Sequence, residues 1–226
     1  MAIVAVAPLW LVYEGLRLEL APSERNGAEA FVTDSVAAFG SRSLLVLEVL
    51  LGACVLLAVV AVLRRKLPWL RIAGVVAIEG TVLGFLLGPL SELLTFTLIE
   101  TGALGPMALR AGVSAQELVG ALGAGLFEEA VFRLLLLSLL ALAFTRAANA
   151  FALPRSAGVA AAVFVAAIVF SWFHHVGAVA EEFRFPVFAF RAIAGVVLGA
   201  IFVLRGFAVV VYAHAAYDVH YYLVHE

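Results

Sequence analysis

The chain is divided into about seven apolar segments, each long enough to cross a bilayer. A membrane-spanning helix needs about 20 mostly apolar residues, because its backbone polar groups must be satisfied within the helix. Hydrophobic residues make up 65% of the 226 residues and charged residues 13%, too apolar a balance for an ordinary water-soluble domain. We therefore predict an all-α, polytopic transmembrane bundle with spans at about 2–20, 43–63, 71–98, 117–144, 157–178, 187–204 and 207–224.

The ends of these segments and the connections between them allow further predictions. The first segment has no basic residue ahead of Arg17, so we expect a retained span and not a cleaved signal peptide. A polar stretch from Pro22 to Ser43 connects it to the second segment. Little more than Arg205 and Gly206 separates the last two segments, which predicts a tight helical hairpin.

Basic residues are distributed unevenly among the connections. They concentrate after the second, fourth and sixth segments, so the positive-inside rule predicts a cytoplasmic N-terminus and an extracytoplasmic C-terminus. We expect an integral protein of a bacterial inner membrane, with lipid as its surroundings. The net charge of -2 offers no basic surface, so no nucleic-acid partner is expected. The basic residues counted are Arg64, Arg65, Lys66, Arg71, Arg146, Arg155 and Arg205.

Carboxylic acids, an arginine and imidazoles occur inside three of the apolar segments. A charged group at the centre of a membrane helix costs about 2.5 to 3.5 kcal/mol on insertion scales. A chain that keeps several of them in separate segments is therefore expected to use them together. The three patterns are Glu128-Glu129-x-x-x-Arg133, Phe170-x-x-x-His174 and His214-x-x-x-Asp218.

The first pattern contains a pair of acids with different expected roles. Glu129 and Arg133 are four residues apart, so they share a helix face and can form an ion pair. Glu128 points about 100° away from Glu129 and has no such partner in its own helix. The sequence predicts that Glu128 is a general base that activates water. Taken alone, the motif fits a salt-bridged helix contact without chemistry equally well.

The other two patterns place imidazoles on separate helices. Phe170 lies one turn before His174 and can shield it from lipid, while His174 can orient a water or bind a metal. His214 and Asp218 are again one turn apart. Asp218 could fix the tautomer of His214, ligate a metal or, if protonated, donate to an oxyanion. Each pattern alone could instead be a hydrogen-bonded contact between helices.

The order EExxxR, FxxxH, HxxxN/D resembles the CPBP intramembrane proteases, the family that includes the CAAX-processing endopeptidases and the bacterial Abi-like proteins. The resemblance covers about residues 115–224. It implies a protease core of four spans in 115–226, to which the hydropathy of 1–114 adds about three N-terminal spans. It also implies a glutamate-type intramembrane endopeptidase that hydrolyses a peptide bond in a membrane-embedded or lipid-anchored peptide or protein tail.

The resemblance assigns a role to each matching residue. Glu128 together with His174 would activate the attacking water, and His214 with Asp218 would stabilise the oxyanion. Asp218 stands where the family more commonly has Asn, and an ionised aspartate would repel an oxyanion. The residues implied to support the site are Glu129, Arg133 and Phe170.

The same side chains leave the question of a metal open. Glu128, His174, His214 and Asp218 together form a plausible zinc shell, and the family has been described both as metalloproteases and as metal-free enzymes. We favour a mechanism without a cofactor and keep zinc as the second choice.

Two other classes of function stay open from the residues alone. Intramembrane acids and imidazoles also serve proton-coupled transporters, although no inverted repeat is visible. A non-enzymatic immunity or scaffold protein could retain the same fold. Glu79, Glu92 and Arg191 are unassigned. The two glutamates could line the cavity, although we favour pairing between helices, and Arg191 could meet one of them or an anionic tail.

Helical rise places Glu128 about 16 Å from the outer start of its span. We therefore predict a water-filled cavity at the centre or in the outer half of the bilayer. Such a site favours sorting anchors or secreted peptides over cytoplasmic prenylated tails as substrates.

Overall fold

The computed structural model describes residues 1–18, 27–40, 42–100, 112–177 and 180–224. Within these ranges the regular structure is entirely helical, which confirms the predicted all-α fold. The helices are α1 (Ala2–Arg17), α2 (Gly27–Ala37), α3 (Ser43–Arg64), α4 (Trp69–Ile99), α5 (Ala115–Gly123), a π-helical segment (Ala124–Leu137), α6 (Ser138–Ala150), α7 (Arg155–Phe173), α8 (Phe185–Arg205) and α9 (Phe207–Val224).

Four helices are long and apolar enough to cross a membrane, namely α3, α4, α7 and α8. The predictions for these four spans are confirmed, with their ends shifted by a few residues. Helix α9 contacts α4, α8, α5 and the π-helical segment, so it lies at the centre of the bundle. The bundle therefore surrounds the helix that carries the His214 pattern.

The structure adds detail to two of the connections. The predicted polar stretch between the first two spans contains α2, which buries Ala28 and Glu29 and packs Phe31 edge-on against Phe173 at 5.7 Å between ring centroids. Helix α7 ends at Phe173, short of the predicted end at about 178. The predicted span end at 19–20, part of the polar stretch (22–26) and residue 178 lie outside the described residues.

One continuous helix runs from Ala115 to Ala150 and includes the predicted fourth span at about 117–144. It begins with a capping box, in which Ser114 accepts from the Glu117 backbone and the Glu117 carboxylate accepts from the Ser114 backbone. Its middle part, Ala124–Leu137, is π-helical. Such wide turns are rare and frequently occur at functional sites. This one carries the whole Glu128 motif.

Glycines bring α4 into backbone contact with α9. A Cβ atom on Gly84 would lie 2.8 Å from the Cβ of Ala216 and against the carbonyl of Ala213, and one on Gly80 would clash with Tyr212. Small residues at membrane-helix interfaces allow this close approach. Since Gly80 faces Tyr212 and Gly84 faces Ala216, α4 and α9 run in the same direction, as the predicted topology requires.

The predicted hairpin between the last two spans is also confirmed. Helix α8 ends at Arg205, and α9 begins at Phe207. The connecting Gly206 has φ of 88°, a conformation that glycine adopts without the steric penalty of a side chain. The turn returns the chain directly into the bundle, so α8 and α9 lie side by side.

Candidate active site

The π-helical segment, α9 and the end of α7 meet at a buried group of acids and imidazoles. The segment supplies Glu128, Glu129 and Arg133, and α9 supplies His214, all four of them buried. A Cβ atom on Gly125 would lie 2.9 Å from the Cβ of Ala215. This close approach, one turn before the glutamates, brings the two motif-bearing helices within hydrogen-bonding reach.

Glu129 is the centre of this group. Its Oε1 lies 2.8 Å from Arg133 Nη1, which confirms the predicted pairing, and 2.6 Å from His214 Nδ1. Glu129 is 0% and Arg133 2% exposed. Charges this deeply buried persist only when they are paired and hydrogen-bonded. The ion pair therefore holds the imidazole of a different helix, which the sequence did not reveal.

Phe170 packs between the cation and both imidazoles. Its ring lies 4.2 Å from the Arg133 guanidinium carbon, a cation–π contact. The ring meets His174 edge-on at 5.1 Å and His214 at 6.0 Å between centroids. The ring therefore covers His174, as predicted, and it also covers the guanidinium of the ion pair.

His174 lies immediately after the end of α7. Its Nδ1 is 3.0 Å from the Phe170 carbonyl, and since a carbonyl only accepts, Nδ1 carries the proton. In the neutral imidazole this leaves Nε2 as an acceptor. The ring also interacts electrostatically with Glu128. His174 is thus held in one tautomer, with the other nitrogen available to a water or a substrate.

His214 Nε2 lies between two carboxylates that belong to two different helices. Glu128 Oε2 is 3.9 Å away, and Asp218 Oδ2 is 3.8 Å away. These distances exceed a hydrogen bond but are short enough for strong electrostatic attraction. Because Nδ1 faces Glu129, the tautomer of His214 is set by Glu129, and not by Asp218 as one of the sequence alternatives had it.

Exposure identifies the side from which the site can be reached. The side chain of Asp218 is 21% exposed and that of Glu128 10%, whereas that of Glu129 is 0% exposed. The pair of acids nearest His214 Nε2 therefore faces the more open side. Glu129 and Arg133 lie on the opposite, buried side of the site.

Two of the three charged residues left unassigned from sequence form ion pairs with other elements. Glu79 of α4 pairs with Arg205 at the end of α8, so the expected pairing between helices is confirmed for this glutamate. Arg191 of α8 pairs with Glu181 in the connection before it, a pairing that the sequence did not indicate. Tyr13 of α1 donates to the buried Glu29 of α2, which ties the two N-terminal helices together.

Within the described ranges, no three His, Cys, Asp or Glu side chains form a group that could hold a metal ion. Glu128 and Asp218 lie within 4 Å of His214 Nε2, whereas His214 Nδ1 is already bonded to Glu129.

These features define a class: an integral membrane protein with a carboxylate–imidazole site enclosed by its helices. Residues 110–220 match the family model described as "Type II CAAX prenyl endopeptidase Rce1-like". The match includes every residue of the three motifs. No curated protein and no solved structure matches the chain. Residues 110–220, about half of the chain, therefore belong to the CPBP family of CAAX-type intramembrane endopeptidases, whose substrates are membrane-anchored proteins.

Proposed function

We propose that the protein is a glutamate-type intramembrane endopeptidase that cleaves the tail of a membrane-anchored, prenylated peptide or protein. The family description names a prenyl endopeptidase, and on that ground we propose a prenylated tail in place of the sorting anchors or secreted peptides that the depth of Glu128 in its span favoured. The observation that carries the mechanism is the position of His214 Nε2, between Glu128 and Asp218 and opposite the Glu129 contact. The arrangement brings a general base, Glu128, within 4 Å of His214 Nε2, a donor that can be cationic.

In the proposed reaction, Glu128 and His174 hold the attacking water. Glu128 takes a proton from the water as its oxygen bonds to the carbonyl carbon of the substrate. The carbonyl π electrons move onto oxygen, which gives a tetrahedral oxyanion. The proton on Glu128 then passes to the amide nitrogen as the C–N bond breaks. Water is consumed, an acid and an amine are released, and Glu128 returns to a carboxylate.

His214 is assigned to the oxyanion. Its Nδ1–H already donates to Glu129, so Nε2 can donate only when the ring is an imidazolium. The neighbouring carboxylates of Glu128 and Asp218 favour that cation, and a preorganised cationic donor stabilises a developing oxyanion. Asp218 is therefore a positioning residue that keeps His214 charged, which accounts for an acid at a position where the family usually has an amide.

The test is cleavage of a fluorogenic S-prenylated peptide by purified protein in lipid nanodiscs. Glu128→Gln and His174→Gln should each lose cleavage by about 10²-fold or more, the scale of a lost general base. The control is Glu182→Gln, an exposed glutamate in the connection before α8. A parallel series contains a strong zinc chelator.

Cleavage that is lost in both site variants, retained in the control and insensitive to the chelator supports the proposal. Cleavage abolished by the chelator and restored by zinc would replace the glutamate mechanism with a metal mechanism. Unchanged cleavage by Glu128→Gln would overturn the assignment of the site.

A further inference from the structure

A second cation lies beside the candidate active site, on α8. Arg191 Nη2 is 2.7 Å from Glu181 Oε1, and the Glu181 N–H donates to the His174 carbonyl at 2.9 Å. The preceding residue, Phe190, packs against Tyr217 of α9 with ring centroids 6.5 Å apart, and Tyr217 immediately precedes Asp218. These contacts place Arg191 beside the part of the site that contains His174 and Asp218.

The hydrogen-bonding capacity of Arg191 is only partly used. Nη2 donates to Glu181 Oε1 at 2.7 Å. Nη1 is buried and has no hydrogen-bond partner among the residues that the structure describes. A guanidinium presents paired donors that match the two oxygens of a carboxylate. The single bond to Glu181 leaves one of those two positions unfilled, and an unfilled buried donor is costly.

The side chain of Glu181 is suited to being displaced. It is 52% exposed, while that of Arg191 is 23% exposed, and ion pairs this accessible to solvent contribute little stability. The backbone of Glu181 is fixed separately. Its N–H donates to the His174 carbonyl at 2.9 Å, and its carbonyl accepts from His175 Nδ1 at 3.2 Å. The carboxylate can therefore leave Arg191 without detaching the chain.

The charges around the site determine what could replace Glu181. Glu128 and Asp218 face the open side, and the Arg133 charge is already balanced by Glu129. An anionic group that approaches from this side is repelled by the first two carboxylates and attracted by Arg191. Glu181 occupies Arg191 with a carboxylate. The C-terminus of a protein tail is also a carboxylate, so it could form the same contact.

We propose that Arg191 binds the C-terminal α-carboxylate of the substrate in place of Glu181, and so measures the distance from the chain end to the cleaved bond. This inference rests on the proposed endopeptidase function and adds to it the residue that recognises the free C-terminus of the tail. Because n extended residues span at most about 3.3 to 3.6 Å × n, a fixed arginine selects one number of residues beyond the cleaved bond.

The probes are two fluorogenic S-prenylated peptides of the same sequence, one ending in a free acid and the other in a carboxamide. A second series lengthens the tail after the prenylated cysteine one residue at a time. The variants are Arg191→Gln, Arg191→Lys and Glu181→Gln, with Arg184→Gln as the control, since Arg184 is an exposed arginine at the start of the same helix. Cleavage is measured in nanodiscs with and without anionic lipid.

The native protein should prefer the acid by about tenfold to a hundredfold in kcat/KM, the range for a lost charged hydrogen bond. Arg191→Gln should remove this preference, and the optimum in tail length, by losing activity on the acid alone. Its cleavage of the amide shows that the variant is folded. Arg191→Lys should keep part of the preference. Glu181→Gln should lower KM for the acid and leave the amide unchanged, and Arg184→Gln should match the native protein.

Binding separates this inference from the catalytic proposal. The same peptides are titrated by fluorescence anisotropy into Glu128→Gln protein, with and without Arg191→Gln. Tighter binding of the acid that depends on Arg191 upholds the inference even if cleavage is not observed. Equal affinity for acid and amide, no binding of either, or a preference that survives Arg191→Gln overturns it. An Arg191 effect that needs anionic lipid and ignores the peptide terminus also overturns it, because the arginine would then bind a lipid headgroup.

Discussion

The buried ion pair of Glu129 and Arg133 makes a two-part prediction that separates stability from catalysis. Arg133 is 2% exposed and has its charge balanced by Glu129 at 2.8 Å. Glu129→Leu leaves that guanidinium buried without an anion, which should cost about 3 to 5 kcal/mol of folding free energy. The double variant Glu129→Leu/Arg133→Met removes both charges at similar volume, and its stability should return to within about 1 to 2 kcal/mol of the native protein.

Catalysis should not return with stability. In the double variant, His214 Nδ1 has lost the acceptor that lies at 2.6 Å, so neither its tautomer nor its charge is fixed. We expect cleavage to stay about a hundredfold or more below the native rate, the scale for the loss of a carboxylate that orients a catalytic imidazole. Only a variant that is folded but inactive fits the proposed role of Glu129.

The assay is thermal unfolding in detergent, with cleavage measured on the same preparations. The Glu79→Gln/Arg205→Gln double variant is the control, because that acid–arginine pair links two helices but lies largely exposed, so its loss should change little. If the double variant at the site stays as unstable as Glu129→Leu, the two charges are not energetically coupled. If it cleaves at the native rate, Glu129 does not orient His214.

Three further predictions follow from the packing and the site. Gly84→Leu should destabilise the protein by about 1 to 3 kcal/mol through overpacking against Ala213 and Ala216, whereas Gly74→Leu, which meets nothing within 4 Å, should have a much smaller effect on thermal unfolding. Asp218→Asn should lower kcat/KM by about tenfold and Asp218→Leu by more, because both remove the carboxylate beside His214 Nε2 and only the amide can itself donate to the oxyanion; native activity in Asp218→Leu would argue against the proposed role of Asp218. In a Cys54→Ala background, a cysteine at Glu182 should react with impermeant maleimide from outside the cell and one at Arg65 only after lysis; the reverse pattern would invert the predicted topology.

The sequence predicted the elements of the site better than their connections in space. Spacing of four residues within a helix is fixed by helical geometry, so the Glu129–Arg133 pair and the Phe170–His174 contact could be foreseen. The bond from Glu129 to His214 joins residues 85 positions apart. It depends on how the π-helical segment and α9 are rotated against each other, which local periodicity does not encode.

The N-terminal region shows the same limit. Helix α2 was not predicted, because its 11 residues lie in a polar stretch and give only a weak amphipathic signal. Its buried Glu29 becomes acceptable only once Tyr13 of α1 donates to it. Similarly, Arg191 could be recognised as an arginine in an apolar segment, but its partner Glu181 lies outside that helix. Single-sequence patterns predict such residues without predicting their partners.

The glycine contacts between α4 and α9 bear on what the matched family region can do by itself. The family match begins at residue 110, yet Ala213 and Ala216, which flank His214 on α9, rest against Gly80 and Gly84 of α4. A polypeptide starting at residue 110 would therefore expose this tightly packed face of the catalytic helix. Substitutions in α4, far from any acid or imidazole of the site, should then lower activity, because the packing of α4 fixes the position of the helix that carries His214.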